Sequence, residues 1–310
     1  MYYPFLRGKL FELLAIRELA ETTSLENIIP IIEPVQDNYS ALNKATELLE
    51  EKNQKYIFIY KPNVGKIKTE NDILDLKENI FKGENQIPGF IIDNNNDEII
   101  SDLINDFDSE SIALFHYENK QEVESYFNGM DENKFLNFIH LDRLGPFALR
   151  RFRGYTNNFM LRDPFTSERR NADYAEVSEQ SLSDDHLYYS EEGYLGYSDF
   201  LTIGEEYSES GFAPYAVAIH LTYLLNDMSC WIKHFVSTSN SDQSNIAGKY
   251  MEAMNALVDW VEEQDELDKT ESLIELIKLH SDEHYPGLGF LKKLQIKHHV
   301  QLINRYFERS

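Results

Sequence analysis

One cysteine, Cys230, stands in 310 residues. A lone thiol forms no intrachain disulfide and no thiolate cage for a metal, which points to a reducing, cytoplasmic setting. Basic residues are also scarce: 29 Lys and Arg against 54 Asp and Glu give a formal charge of −25. Duplex affinity is mostly phosphate neutralisation by Lys and Arg, so direct binding of duplex DNA is not expected. The acids are scattered instead of gathered in one tract, which reads as a solvated acidic surface more than as a nucleic-acid mimic. No apolar run approaches the roughly 18 residues of a membrane span, and Met1 to Arg7 lacks the basic-then-apolar layout of an export signal. Absent too are a phosphate-cradling Gly-rich loop, a dinucleotide fingerprint, HExxH and GxSxG. What remains is 42% hydrophobic and 13% aromatic residues, enough for a sizeable core and too much for a disordered chain.

Short apolar runs that end in ionisable residues are the main signal. Ile28-Ile29-Pro30-Ile31-Ile32 ends at Glu33, Tyr56-Ile57-Phe58-Ile59-Tyr60 at Lys61, and Gly89-Phe90-Ile91-Ile92 at Asp93. Ile112-Ala113-Leu114-Phe115 ends at His116. Leu136-Asn137-Phe138-Ile139 runs into His140, Leu141 and Asp142. Phe159-Met160-Leu161 ends at Arg162 and Asp163. Runs of this length, rich in Ile and Phe, suit strands buried on both faces. Between them, 39–53, 71–81 and 96–107 carry apolar residues at helical spacing, and 121–128 is a shorter candidate. Strand then helix, repeated, builds parallel βαβ units. The expected fold is an α/β, (β/α) TIM-barrel-like domain.

After Asp163 the period is lost. Residues 164–198 read as a long, polar, Tyr-rich insertion following strand six, whose tyrosines, among them Tyr188, Tyr189, Tyr194 and Tyr197, form either a lid or an aromatic mini-core. Residues 199–204 read as a seventh strand. Residues 216–225 and 230–237 leave no room for a crossover helix, so they form an antiparallel hairpin, expected to close the barrel irregularly. The tail is helical. The expected division is a barrel domain over 1–240 and C-terminal helices at 241–310 packed on it. The last helix holds Lys292, Lys293, Lys297, Arg305 and Arg309, either as a solvated face balancing acidic neighbours or as a dock for an acidic partner.

In a parallel barrel the strand carboxyl ends share one rim, where active sites sit. Glu33, Asp93 and Asp142 are candidate bases or ligands for a divalent cation, Mg²⁺ or Mn²⁺. Lys61, His116, Arg162 and Asp163 are candidates for ligand contact, with Arg162 able to clamp an oxyanion bidentately. Each also has a plain structural reading. Glu33 is a polar terminator before Pro34, and Lys61 an ion-pair partner for Glu33. Asp93 with Asn94-Asn95-Asn96 is a turn and helix cap, and His116 a satisfied buried histidine. Neighbours on a strand face opposite ways, so only one of Arg162 and Asp163 faces the barrel. His220 and His234 lie on the hairpin. With a turn of four residues they point apart; with five, 220 faces 234, as an acid–base or metal role for the pair requires.

Tyr3-Pro4-Phe5-Leu6-Arg7-Gly8-Lys9, then Glu12-Leu13-Leu14-Ala15-Ile16 and Ile29-Pro30-Ile31-Ile32-Glu33-Pro34, resembles the opening of the phage beta-protein-like family. Ser198-Asp199-Phe200, Ala218-Ile219-His220-Leu221-Thr222-Tyr223 and Lys233-His234-Phe235-Val236-Ser237 are similar to a bacterial group within it. The resemblance implies a barrel-like fold and a setting in phage–host conflict, beside nuclease-like genes. It implies no reaction and no catalytic residues. Two functions follow as expectations. In the first, the rim binds, and as an enzyme acts on, an anionic phosphorylated or nucleotide-like ligand by metal-assisted hydrolysis. In the second, the protein is a non-catalytic partner or sensor subunit for a nuclease-like protein.

Overall fold

A computed structural model describes residues 1–93, 97–119, 131–209 and 213–309. The cap expected at Asn94–Asn96 and the short helix expected over 121–128 lie outside them. Two compact units emerge: Met1–Asp163 with Tyr188–Phe200, and Pro164–Leu187 with Leu201–Ser310.

The first unit is a closed parallel barrel of eight strands. In chain order they are β1 (Tyr2–Leu6), β2 (Ile31–Ile32), β3 (Tyr56–Lys61), β4 (Gln86–Ile92), β5 (Ile112–His116), β6 (Phe135–His140), β7 (Asn158–Arg162) and, after a strand β8 (Glu179–Ser183) that is not in the ring, β9 (Tyr197–Asp199). All six expected runs are strands, and the helices Ser40–Glu51, Glu70–Asn79 and Asp97–Asp106 fall where the periodicity places them. The second of these starts on a capping box: Thr69 accepts from Asp72 N while the Asp72 carboxylate accepts from Thr69 N, relieving two orphan amides.

The α/β barrel is as expected, but its closure is not the hairpin. Tyr2-Tyr3-Pro4-Phe5-Leu6 is itself a strand, buried throughout, and supplies the missing place in the ring. The last place goes to the three residues of β9, parallel to both β7 and β1, with Met160 opposite Tyr197 and Tyr2 opposite Tyr197. A parallel ring needs parallel partners, and an antiparallel hairpin supplies them on only one of its two strands. Of the tyrosines of the insertion, Tyr197, the first residue of β9, is buried and stacks on Tyr2 at 4.9 Å, and half-buried Tyr189 lies 5.7 Å from it, while Tyr188 is exposed.

Alternation along each strand sorts the side chains. Tyr3, Phe5, Ile31, Ile57, Ile59, Ile91, Phe115, Phe138 and Phe159 form the interior cluster. Phe138 stacks between Phe115 at 4.7 Å and Phe159 at 4.9 Å, each tilted by 19°. Gly89 makes space in this layer, because a Cβ there would sit 2.9 Å from Ile57 Cγ2 and 3.2 Å from the Phe115 ring.

The second unit holds an antiparallel sheet in the order β10–β11–β8, with β8 at Glu179–Ser183, β10 at Ala218–Leu224 and β11 at Cys230–Val236. So the polar insertion contributes an edge strand, and the hairpin groups with the C-terminal helices. Those helices, Ile246–Glu262, Glu271–Ser281 and Leu288–Arg309, bury Tyr250, Met254, Leu257, Leu273, Leu276, Leu291 and Leu294 against Ile219, Leu221 and Phe235. The last helix is no solvated face: Lys293 and Lys297 are buried. Near its end Arg305 and Arg309 meet acidic neighbours, Asp268 and Glu271.

Removing the central ring of the stack should cost most. Phe138→Ala is expected to destabilise by about 3–5 kcal/mol, against less than about 0.5 kcal/mol for Phe147→Ala on the surface, where the ring is 77% exposed. Urea unfolding of both variants checks this.

Candidate functional site

The inward positions continue past the apolar layer to the carboxyl ends of the strands, and there they become charged. Arg7, just beyond β1, forms an ion pair with Glu33, just beyond β2. The Arg7 amide donates to Glu12 Oε2 at 2.6 Å, and the second Glu33 oxygen accepts from Asn63 N at 2.7 Å. Lys61 at the end of β3 donates to Asp93 Oδ1 at 3.0 Å and to Ile91 O at 3.3 Å. All four side chains are buried. Charge in a dry site is tolerable only when neutralised and hydrogen bonded, and each of these groups is matched by an opposite charge from the adjacent strand.

Aromatic rings complete this end of the barrel. The His140 ring, fully buried, stands edge-on to Tyr117 at 4.9 Å and lies 6.1 Å from Phe200. The Arg7 guanidinium lies 5.1 Å from the centre of the Phe200 ring, and Arg143 lies 4.8 Å from the centre of Tyr117.

The other expected rim residues part company with this cluster. Asp142 is exposed, and its carboxylate accepts from the Asp163 amide at 2.7 Å. Arg162, the last residue of β7, has the opposite parity to the inward Phe159 and Leu161, and its charge is felt by the Tyr194 hydroxyl. Tyr194 packs with Ile139, Leu144, Ala148 and Phe152 outside the barrel interior. His116 also points outward. Its Nε2–H donates to Asn137 Oδ1 at 2.9 Å, its ring lies 4.6 Å from Phe152, and burial pulls its pKa from the ordinary 6.5 to about 4. It is a neutral core histidine, outside the mouth. Arg7, the partner of Glu33, escaped sequence reading because β1 was not recognised as a strand; Arg at the end of an apolar run was the available signal.

Among the described residues no three His, Cys, Asp or Glu side chains are grouped to hold a metal ion. Glu33 and Asp93 are each tied to a cation, so the carboxylates expected to bind Mg²⁺ or Mn²⁺ form no ligand set with Asp142.

A second constellation lies in the other unit. Leu224 pairs with Cys230, so the hairpin turn is the five residues 225–229, and His220 falls directly opposite His234. Their Nδ1 atoms are 2.7 Å apart, a distance that requires one proton between them. Gln180 on β8 donates from Nε2 to His234 Nε2 at 3.3 Å. His234 therefore carries its proton on Nδ1 and donates it to His220 Nδ1, and His220 carries its own proton on Nε2. Tyr174 flanks both rings at 4.7 Å, and Phe165 stands edge-on to His220 at 5.3 Å. Burial, then the neighbouring His234 and Lys292, lowers the pKa of His220 to about 3; burial and Lys233 lower that of His234 to about 4. Both rings are neutral at pH 7. His220 lines a cavity of about 300 Å³ shared with Ser167, Glu168, Asn171, Leu288 and Lys292, all within this unit. Gln180, Phe165, Tyr174 and Glu168 lie in the aperiodic insertion and gave no signal of their own.

Two predictions follow from these environments. Lys61→Met leaves Asp93 facing the barrel without its cation and is expected to cost about 3–5 kcal/mol. The double variant Lys61→Met with Asp93→Leu recovers most of that loss, as a double-mutant cycle by urea unfolding would read. The His116 pKa is lower folded than unfolded, so the unfolded chain takes up the proton first and stability falls as pH drops from about 6.5 towards 4. Between about pH 7 and pH 5, His116→Gln should therefore lose about 2 kcal/mol less than the parent protein.

No family model, no curated protein and no solved structure matches the chain.

Proposed function

We propose that this is a cytoplasmic barrel protein of a phage–host conflict setting that works as a non-catalytic partner or sensor subunit for a nuclease-like protein. The observation that supports it is the pairing of Arg7 with Glu33 and of Lys61 with Asp93 at the carboxyl ends of the barrel strands. A general base needs a carboxylate able to take a proton, and an anion clamp needs a cation whose charge is not already spent. Glu33 is committed to Arg7, and Asp93 and the lysine expected to hold an anion, Lys61, are committed to each other. The competing reading, a phosphorylated or nucleotide-like ligand at the same rim, requires the ligand to displace Asp93 from Lys61 and leave a buried carboxylate behind. The setting is drawn from the likeness of the stretches around Arg7, Glu33, His220 and His234 to the phage beta-protein-like family.

The test is co-expression of the tagged chain with the product of the neighbouring nuclease-like gene, purified at low salt. The two are expected to elute together, and the chain alone to turn over no member of a nucleotide panel. Separate elution would count against the partnership. Saturable turnover that Asp93→Asn abolishes without lowering the melting temperature would replace it with the enzyme reading.

A further inference from the structure

We propose that the exposed face of the helix Pro146–Phe152, carried by Phe147, Arg150 and Arg153, is a docking surface for single-stranded nucleic acid, with phosphates on the two guanidiniums and a base stacked on the phenyl ring. The surface does not depend on the partnership proposed above.

The sequence marks this stretch by what it leaves out. From Arg143 to Arg162 stand five of the chain's eleven arginines and not one Asp or Glu, in a protein with 54 acids. Folding leaves three of those charges uncompensated. Arg7, Arg170, Arg305 and Arg309 each pair with a carboxylate. The side chains of Arg150, Arg151 and Arg153 have neither ion pair nor hydrogen bond among the described residues. Glu192, whose field meets that of Arg153 at the Tyr194 hydroxyl, forms no ion pair with it.

Helical spacing turns the sequence into a surface. Ala148 and Phe152 are buried with Ile139 and Leu144, which fixes the side of the helix that faces the protein. Phe147 and Arg150 are three residues apart. Arg153, the C-cap, keeps helical backbone at φ −61° and ψ −18°, so the three form one strip down the opposite side, with neighbours about 5–6 Å apart at Cβ. All three are exposed, and Phe147 is the most exposed of the large apolar residues at 77%. Half-buried Arg151 adds positive charge beside the strip: its guanidinium lies 5.2 Å from the centre of the Phe152 ring, and its Nε and Nη2 have no hydrogen-bond partner.

The two side-chain types on the strip select the occupant. A planar guanidinium binds phosphate bidentately, and two of them one turn apart suit a chain of phosphates. An exposed phenyl ring beside them is a stacking platform that any base can use; an acidic peptide would leave it in water. A duplex keeps its bases stacked inside, whereas a single strand can splay one onto Phe147. The remaining surface is strongly acidic, so the attraction is confined to this strip, because salt screens charge beyond about 8–10 Å.

The test is fluorescence anisotropy of labelled decathymidylate and decauridylate titrated with the 310-residue chain at about 50 mM salt and above. Both strands are expected to bind saturably and alike, since guanidinium and phenyl groups meet phosphates and base faces and not the sugar. Phe147→Ala should weaken binding about fivefold or more and leave its salt dependence unchanged. Arg150→Gln with Arg153→Gln should flatten the slope of log affinity against log salt by about 1.4, two phosphate contacts at about 0.7 each. Arg170→Gln, which removes an exposed arginine already paired with Asp173, should alter neither affinity nor slope. Absence of saturable binding by both strands would overturn the proposal. So would a duplex of the same length or a polyglutamate peptide that competes as well as the unlabelled strand, or an affinity and a salt slope that survive the changes at Phe147, Arg150 and Arg153 intact.

Discussion

A strand covered on both faces has one place to put a charge, its carboxyl end. Strands β1, β3 and β5 are buried at every position, and closing the ring removes any edge where a polar side chain might reach water. Even at the strand ends the groups stay buried: Glu33 is fully covered and Lys61 is 4% exposed. Neutralisation is then obligatory, and the neighbour in the ring is the nearest source of it. Arg7 of β1 meets Glu33 of β2, and Lys61 of β3 meets Asp93 of β4. The ion pairs follow the strand order, so each clasps two adjacent strands. Burying such a pair gains little net energy over an apolar substitute, while breaking it costs much. Its effect is to penalise any arrangement in which these strands are not neighbours.

The same alternation assigns the remaining polar residues to the layer outside the barrel. A shift of one position separates Arg162 from Asp163 and His116 from Tyr117, and it sends one of each pair away from the interior. Outward polar groups find partners there: His116 meets Asn137, and Tyr2 donates to Asp199 at 2.7 Å. Position at the end of a strand is therefore not enough to make a rim residue; parity along the strand decides.

This is why the barrel was largely legible in the sequence and its contents only partly so. Six strands announce themselves as Ile- and Phe-rich runs because both faces demand apolar side chains. The first strand hides behind Pro4 and two tyrosines, and the last, Tyr197–Asp199, has three residues and almost no pattern. Strand β8 is mostly solvated, with only Leu182 buried, so nothing in its composition marks it. The rim charges were visible as residue types, but pairing and parity are properties of the closed ring. The meeting of His220 and His234 hung on one residue of turn length, which side-chain chemistry does not fix.

The two units hide titratable groups in different ways, with opposite chemical consequences. At the barrel mouth burial is offset by opposite charge, and the result is closed: each cation and each carboxylate has its complement within the protein. In the hairpin it is offset by tautomerism. Two imidazoles share one proton, a glutamine sets the direction, and no net charge is needed to satisfy the three facing nitrogens. A chain of donors that begins at an amide must end at a donor, however, and here it ends on His220 Nε2 in a residue that lines a cavity. Charge pairing uses up the groups it buries, whereas the histidine chain hands a directed N–H on to whatever fills that space.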